Sequence, residues 1–266
     1  MPIPNTWKNP VRETLEAGKP VVGMTITAAS VEVAAQAAQL GFDFLWIEME
    51  HSPLTLETVR NIILATRGLP AMPFVRVPVV ETWTAKRALD MGAMGVIFPF
   101  ASTPELARVA ADACRYPPAG KRGHGSGLAA FRWQAEEGYA DFADRNVMVV
   151  AMIEEYRAIE RIDEIAATPG IDVLFVGSSD LSFSMGFRGR QDEPELQAAL
   201  DSVVAAAKRH GKFAGRPAFN HASIPGLIER GFQFLQAPSE VRLMSDGAKP
   251  VLEMLGKTAV TNRAMY

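Results

Sequence analysis

Cysteine is almost missing from this chain: Cys114 is the only one in 266 residues, and that shortage removes two classes of function. One thiol makes neither an internal disulfide nor a thiolate metal cluster. Its setting, Ala111-Asp112-Ala113-Cys114-Arg115, is helical in pattern and suits a buried small apolar residue. Charge of one sign is also lacking, since 27 Lys and Arg face 30 Asp and Glu for a net charge of −3. The cations are spread along the chain, so the electrostatic footprint of a nucleic-acid binder is absent and small molecules are the expected partners. No apolar run approaches the roughly 20 residues that span a bilayer. The opening residues, Met1-Pro2-Ile3-Pro4-Asn5-Thr6-Trp7-Lys8, carry no basic segment followed by an apolar one, and a cytoplasmic protein without a membrane partner is expected. Nor does a G-x-G-x-x-G follow the first apolar run, because residues 20–27 lead straight into Ala28-Ala29-Ser30. A nicotinamide cofactor is therefore not expected.

What the chain does have, at 48% hydrophobic and 21% charged residues, is a regular alternation of short apolar runs and amphipathic stretches, the signature of repeated βα units. Strands are expected at 20–27, 42–48, 72–77, 95–100, 147–154, 173–177, 212–216 and 232–237. Helices are expected at 30–40, 55–66, 82–91, 103–115, 156–167, 193–209, 222–230 and 241–255. Ser30 and Thr103 stand as N-caps, the second followed by Pro104 and Glu105. Strands that are apolar throughout are covered on both faces, which favours a parallel sheet. Eight such units over residues 1–266 predict one α/β domain, a (β/α)8 TIM barrel, with an open doubly wound sheet as the alternative. One connection, 116–146, is too long to be incidental. It carries four glycines between Gly120 and Gly127 and enough aromatic residues to predict an ordered flap or subunit contact.

Polar residues gather where the apolar strands end. Glu48, Glu50 and His51 follow the second, Arg76 the third, Glu154 the fifth and Asp180 the sixth, and strand ends are where a parallel barrel keeps its chemistry. Glu154 and Asp180 would be neighbours at the rim, and two carboxylates with open positions beside them suit a hard divalent cation. The competing account pairs Glu154 with Arg157 or Arg161 and gives Asp180 a turn to cap. His51 has the titration range of a general base. Arg76 suits a carboxylate or a developing enolate oxygen, an ion pair with Glu48 or Glu50 being compatible with that. Arg216, after the seventh strand, is a weaker candidate of the same kind. His124, His210 and His221 read as mainly structural, His124 being the one of the three that could face the site.

These residues sit in motifs that resemble one family. GFDFLWIEMEHSP (41–53), PFVRVP (73–78), KRALDMGAMGVIFP (86–99), RYPPAGKRGHGSG (115–127), MIEEYRAIE (152–160) and LFVGSSDLSFSMG (174–186) look like the class II pyruvate aldolases of the HpcH/HpaI family. That family includes 4-hydroxy-2-oxoheptanedioate aldolase and 2-dehydro-3-deoxyglucarate aldolase, and order and spacing agree from about residue 8 to about residue 255. The resemblance implies metal ligation by Glu154 and Asp180, a divalent cofactor such as Mg2+, Mn2+ or Co2+, and His51 as catalytic base. It further implies Arg76 on the substrate keto oxygen, Asp90 as the acid that orients the histidine, and a substrate-carboxylate site at the amides around Ser179 and Asp180. A homohexamer, a dimer of trimers with sites near subunit interfaces, is implied as well. The chain departs from the family at Met49, Met152 and Ser178, where glycine, glutamine and proline are usual.

The expected activity is reversible cleavage of a 4-hydroxy-2-oxo acid to pyruvate, or a related 2-oxo acid, and an aldehyde through a metal-stabilised enolate. No lysine ends a strand as a Schiff-base former would. The alternatives are decarboxylation of an oxaloacetate-like 2-oxo diacid by the same chemistry, a phosphate-binding barrel isomerase, which Ala237-Pro238-Ser239-Glu240 argues against, and a barrel that binds metal without catalysis.

Overall fold

Eight parallel strands, hydrogen-bonded in sequence order, close into a barrel in the computed structural model, which describes residues 2–257. They are β1 Val21–Ile26, β2 Phe44–Glu48, β3 Met72–Arg76, β4 Gly95–Phe98, β5 Met148–Ile153, β6 Val173–Val176, β7 Phe213–Pro217 and β8 Phe232–Ser239, with β8 returning to pair with β1. The (β/α)8 expectation holds. The single-domain expectation also took in Met1 and residues 258–266, which lie outside the described residues.

The first eight helices of the chain are α1 Pro10–Glu16, α2 Val31–Gln39, α3 Leu56–Ala65, α4 Thr82–Asp90, α5 Pro104–Ala113, α6 Gly127–Arg132, α7 Tyr139–Asn146 and α8 Tyr156–Glu160. After them come α9 Ile162–Ala166, α10 Ser178–Ser184, α11 Pro194–Arg209, α12 Ile224–Glu229 and α13 Glu240–Met254. Ser30 and Thr103 cap as expected, accepting from Val33 N and Leu106 N. Alanines line the inner faces, Ala34, Ala37 and Ala38 of α2 and Ala107, Ala110 and Ala111 of α5, so these helices lie close against the sheet. The helix expected over 156–167 is two helices, broken at Arg161 with φ −117° and ψ 21°. Residues 222–230 form a 3-10 turn, His221–Ser223, before α12. In α13 none of the residues is buried; its first turn is tied down by Glu240, which accepts from Thr27 N, Thr27 Oγ1 and Ala28 N.

Large rings facing glycines fill the barrel interior. Phe44 stacks on Phe234 with centroids 4.4 Å apart and packs on Phe74 at 5.0 Å, while Trp46 meets Phe175 at 4.8 Å. A Cβ on Gly23 would lie 2.0 Å from the Phe44 ring, and one on Gly95 would lie 2.1 Å from the Phe74 ring. Size is thus exchanged between neighbouring strands at constant volume, and each buried ring contributes about 2–3 kcal/mol.

The long segment after α5 lies on the floor of its own barrel, the end where the strands begin. Trp133 Nε1 donates to Gly92 O at 2.8 Å, Tyr139 Oη to Leu89 O at 3.2 Å, and Arg132 to Ile63 O and Thr66 O. All four carbonyls belong to the last turns of α3 and α4 or to the residues just beyond them. Its helices are the short α6, which starts at Gly127 just after Gly123 and Gly125, and α7, which follows Gly138. Asn9 seals the same end, capping Val11 N and donating to Met94 O and Asn146 O. Cys114 is fully buried there, with its thiol pushed up to about 12 by that burial.

Candidate active site

At the opposite end the strands terminate around a cavity of about 580 Å³ lined by Glu48, His51, Arg76, Glu154, Ser179 and Asp180 among others. The pairing register sets Glu48 beside Arg76, the last residues of β2 and β3. Glu154 follows the last residue of β5, and Asp180 lies in the first turn of α10.

Arg76 is the hub. Its side chain is 8% exposed, and it reaches Glu48 Oε2 and Glu154 Oε1 at 3.3 Å each and pairs with Glu50 through Nη2. The rival pairing of Glu154 with Arg157 or Arg161 is not formed, since Arg157 pairs with Glu155 and Arg161 with Glu105 and Glu164. Glu154 instead accepts from Phe100 N at 2.8 Å. Its carboxylate fills a notch that only glycine leaves, because a Cβ on Gly177 would lie 2.4 Å from Oε1.

Glu48 organises the turn that follows β2. Oε1 accepts from Glu50 N at 2.7 Å and His51 N at 3.1 Å, Oε2 accepts from Trp46 Nε1 at 3.0 Å, and its carbonyl accepts from Ser52 Oγ. The His51 imidazole, 46% exposed, stands with Nε2 3.6 Å from Glu50 Oε2. The ion pair of Glu48 with Arg76 was expected; its bonds to the turn were not, although a strand-end acid followed by a tight turn can accept from that turn's amides.

One guanidinium serves several acids in a water-poor setting, and the acids respond. Burial, countered by Arg76 and reinforced by Glu154, Glu48 and Asp180, pushes Glu50 up to about 8. Burial likewise raises Glu154 to about 7 against the pull of Arg76 and the Phe100 amide, with Asp180 and Glu48 adding to the rise. Carboxylates held back from ionising by burial, and further by one another, are a site that a cation relieves. Among the described residues no group of three or more His, Cys, Asp or Glu is arranged to hold a metal ion, so protein ligation would rest on the pair Glu154 and Asp180. Hard oxygens, a notch for one carboxylate and mutual repulsion between the two fit a divalent cation that takes its other ligands from substrate and water.

Asp90 is not brought to this cavity. It ends α4 on the floor, bound to Arg122 Nη2 at 3.1 Å. His124 is also on the floor, its ring 5.9 Å from Tyr116. His210 and His221 sit outside the cavity, the first on Asp163 at 3.1 Å. Arg216 lies behind the cavity wall, where Nη2 donates to Ser178 Oγ at 3.3 Å. Met152, one of the departures from the family pattern, lines the cavity as well; Thr25 and Gln236, hydrogen-bonded to each other at 3.1 Å, and Phe219 and Arg242 were not anticipated.

Residues 22–246 match the model of the HpcH/HpaI aldolase/citrate lyase family. The chain is 36% identical over 244 residues to the hydroxypyruvate/pyruvate aldolase of Agrobacterium fabrum, covering 91% of this chain and 90% of that one. It is 34% identical over 250 residues to the 4-hydroxy-2-oxo-heptane-1,7-dioate aldolase of Salmonella typhimurium, covering 94% and 95% respectively. A solved HpcH/HpaI aldolase/citrate lyase family protein from Burkholderia cenocepacia superposes with a TM-score of 0.87 at 32% identity, covering 94% of this chain and 100% of that one.

Proposed function

The chain belongs to the HpcH/HpaI aldolase/citrate lyase family, and from that premise we propose that it is a divalent-metal-dependent aldolase that reversibly cleaves a 4-hydroxy-2-oxo acid to pyruvate or hydroxypyruvate and an aldehyde. It is a carbon–carbon lyase, as its aldolase-named relatives are. The observation that carries the reading is the convergence of Glu48, Glu50 and Glu154 on Arg76 beside a cavity that Arg76, Glu154, Asp180 and His51 line together.

Each residue has a part in this proposal. Glu154 and Asp180 hold the cation, Mg2+, Mn2+ or Co2+, which supplies Lewis-acid polarisation of the 2-oxo acid when bound. The amides around Ser179 and Asp180 receive the substrate carboxylate. His51 takes the proton from the C4 hydroxyl; the C3–C4 bond breaks, the aldehyde leaves, and the electron pair passes to the keto oxygen facing Arg76, whose fixed charge stabilises the enolate as it forms. Protonation at C3 completes the product. Glu48 keeps base and guanidinium in register through the bonds it accepts from the His51 amide and from Arg76.

Asp90 and His51 lie at opposite ends of one barrel, so the orienting role of Asp90 requires a neighbouring copy, in line with a hexameric dimer of trimers. No helix among the described residues is long and apolar enough to cross a membrane, which agrees with a cytoplasmic setting.

The test is pyruvate release from a panel of 4-hydroxy-2-oxo acids with stripped enzyme, with Mg2+ or Mn2+ restored, and with Glu154→Ala and His51→Ala. Metal-dependent release that collapses in both variants is expected. Release that persists after stripping would overturn the reading.

A further inference from the structure

Arg216 is a buried cation that the proposed chemistry leaves unused. Its neighbour Gly215 faces the barrel interior, where a Cβ would meet Phe175 at 2.7 Å, so strand alternation sends the Arg216 side chain outward, behind the wall of the cavity. There it is 6% exposed. Nη2 donates to Ser178 Oγ at 3.3 Å, the guanidinium carbon lies 5.7 Å from the centroid of the Phe232 ring, and Nε is buried without a hydrogen-bond partner. No carboxylate pairs with it among the described residues; the neighbouring cation Arg230 takes Asp201 at 2.6 Å.

A guanidinium kept dry without a counter-ion is costly, and the place where it is kept is informative. Ser178 is fully buried and lines the cavity between Gly177 and the Ser179–Asp180 pair. Gln191 Nε2 donates to the Ser178 carbonyl at 3.3 Å, so the turn is held from behind by two side chains. Proline, usual in the family at position 178, could accept no side-chain hydrogen bond through its own ring; serine here couples the turn to a cation one layer back.

We propose that Arg216 is a positioning residue whose buried positive charge, coupled through Ser178, strengthens binding of the substrate's anionic carboxylate at the Gly177–Asp180 turn. The inference rests on reading that turn as the 2-oxo acid site. In a medium of low dielectric a charge one residue behind the wall is still felt in the cavity, and its sign makes the idea testable. It favours an anion in front of it and opposes a cation there.

The experiment titrates Mn2+ into the stripped protein, and oxalate, a dicarboxylate stand-in for the 2-oxo acid, into the Mn2+-loaded protein, for the wild type, Arg216→Met, Arg216→Lys and Ser178→Ala. In Arg216→Met the oxalate Kd is expected to rise by about tenfold while the Mn2+ Kd falls by about threefold, opposite shifts that general loosening of the fold does not produce. Arg216→Lys, which keeps the charge, restores most of the oxalate affinity, and in kinetics Arg216→Met raises KM for the 2-oxo acid more than it lowers kcat. Oxalate and Mn2+ affinities that weaken together, or that both stay unchanged, overturn the inference. So does an unchanged oxalate affinity in Ser178→Ala, which decides the route through Ser178 even if Arg216→Met does not fold. Failure of oxalate to bind the loaded wild type would overturn the aldolase reading itself, whereas wild-type binding without the opposite shifts removes Arg216 alone.

Discussion

At the mouth of the barrel Glu48, Glu154 and Asp180 line the cavity with Arg76, which also pairs with Glu50, whereas at the floor buried cations are satisfied by other means. Arg122 lies 4.6 Å from the Tyr116 ring and 5.3 Å from the Tyr139 ring while binding Asp90. Arg132 and Lys212 take backbone carbonyls, and Arg12 joins Asp172 at 2.7 Å. The difference follows the fold. The outer helices run antiparallel to the strands, so their positive N-termini surround the mouth and their negative C-termini the floor. Cations at the floor meet carbonyls already pointing at them. The acids at the mouth are buried beside one another, which keeps Glu50 and Glu154 protonated well above the ordinary carboxylate range at the end of the barrel where a cation is proposed to act.

The largest effect that would break this contrast comes from Glu154→Gln. Pyruvate release should fall by about 10³-fold and Mn2+ binding should be lost in calorimetric titration, while the stripped protein melts no lower, since a crowded carboxylate has been removed. Retained metal binding would mean the crowding has no metal function.

Arg76→Met should cost about 10²-fold in kcat and destabilise the stripped protein by about 3–5 kcal/mol in chemical denaturation, because buried acids lose their shared cation. Arg122→Met sharpens the comparison from the other end. It should cost about 1–3 kcal/mol, partner Asp90 being part-exposed, with Mn2+ affinity unmoved.

Asp90→Asn links the two ends. If Asp90 orients the His51 of a neighbouring copy, activity falls by about 10²-fold, and mixing with refolded His51→Ala chains restores part of it. Absence of rescue would confine Asp90 to the floor.

A smaller effect is the pH dependence of stability. Glu50 and Glu154 hold protons up to about 8 and about 7 in the folded chain, against 4.5 as the ordinary value, so between these limits the folded state binds more protons than the unfolded one. Stability of the stripped protein should therefore fall as pH rises from about 5 to about 8, with a shallower slope in Glu50→Gln. Melting temperatures that rise over that range would contradict the crowding. Smallest of all, buried Cys114 should react with thiol reagents only on unfolding.

Much of this was legible along the chain. The eight strands and their order follow from apolar runs that a buried parallel strand needs, and His51, Arg76, Glu154 and Asp180 were found because a residue just past such a run must lie at the mouth. The helices α6 and α7 were not legible, since they are only six and eight residues long and are held by side-chain bonds to the ends of α3 and α4. Asp90 was placed at the histidine by resemblance, and in one chain it sits at the far end. Arg216 looked like Arg76 because both end strands, yet the alternation of β7 turned it outward.

The sequence by itself determined the number of βα units, the end of the barrel at which chemistry gathers and the family, because period, strand-end position and motif spacing are local properties of the chain. Only the tertiary structure decided that Arg76 is shared by three acids, that Glu154 needs the absent side chain of Gly177, and that Glu48 gathers the His51 turn. Those facts depend on distances between strands and loops far apart in the chain, which exist only once the barrel has closed.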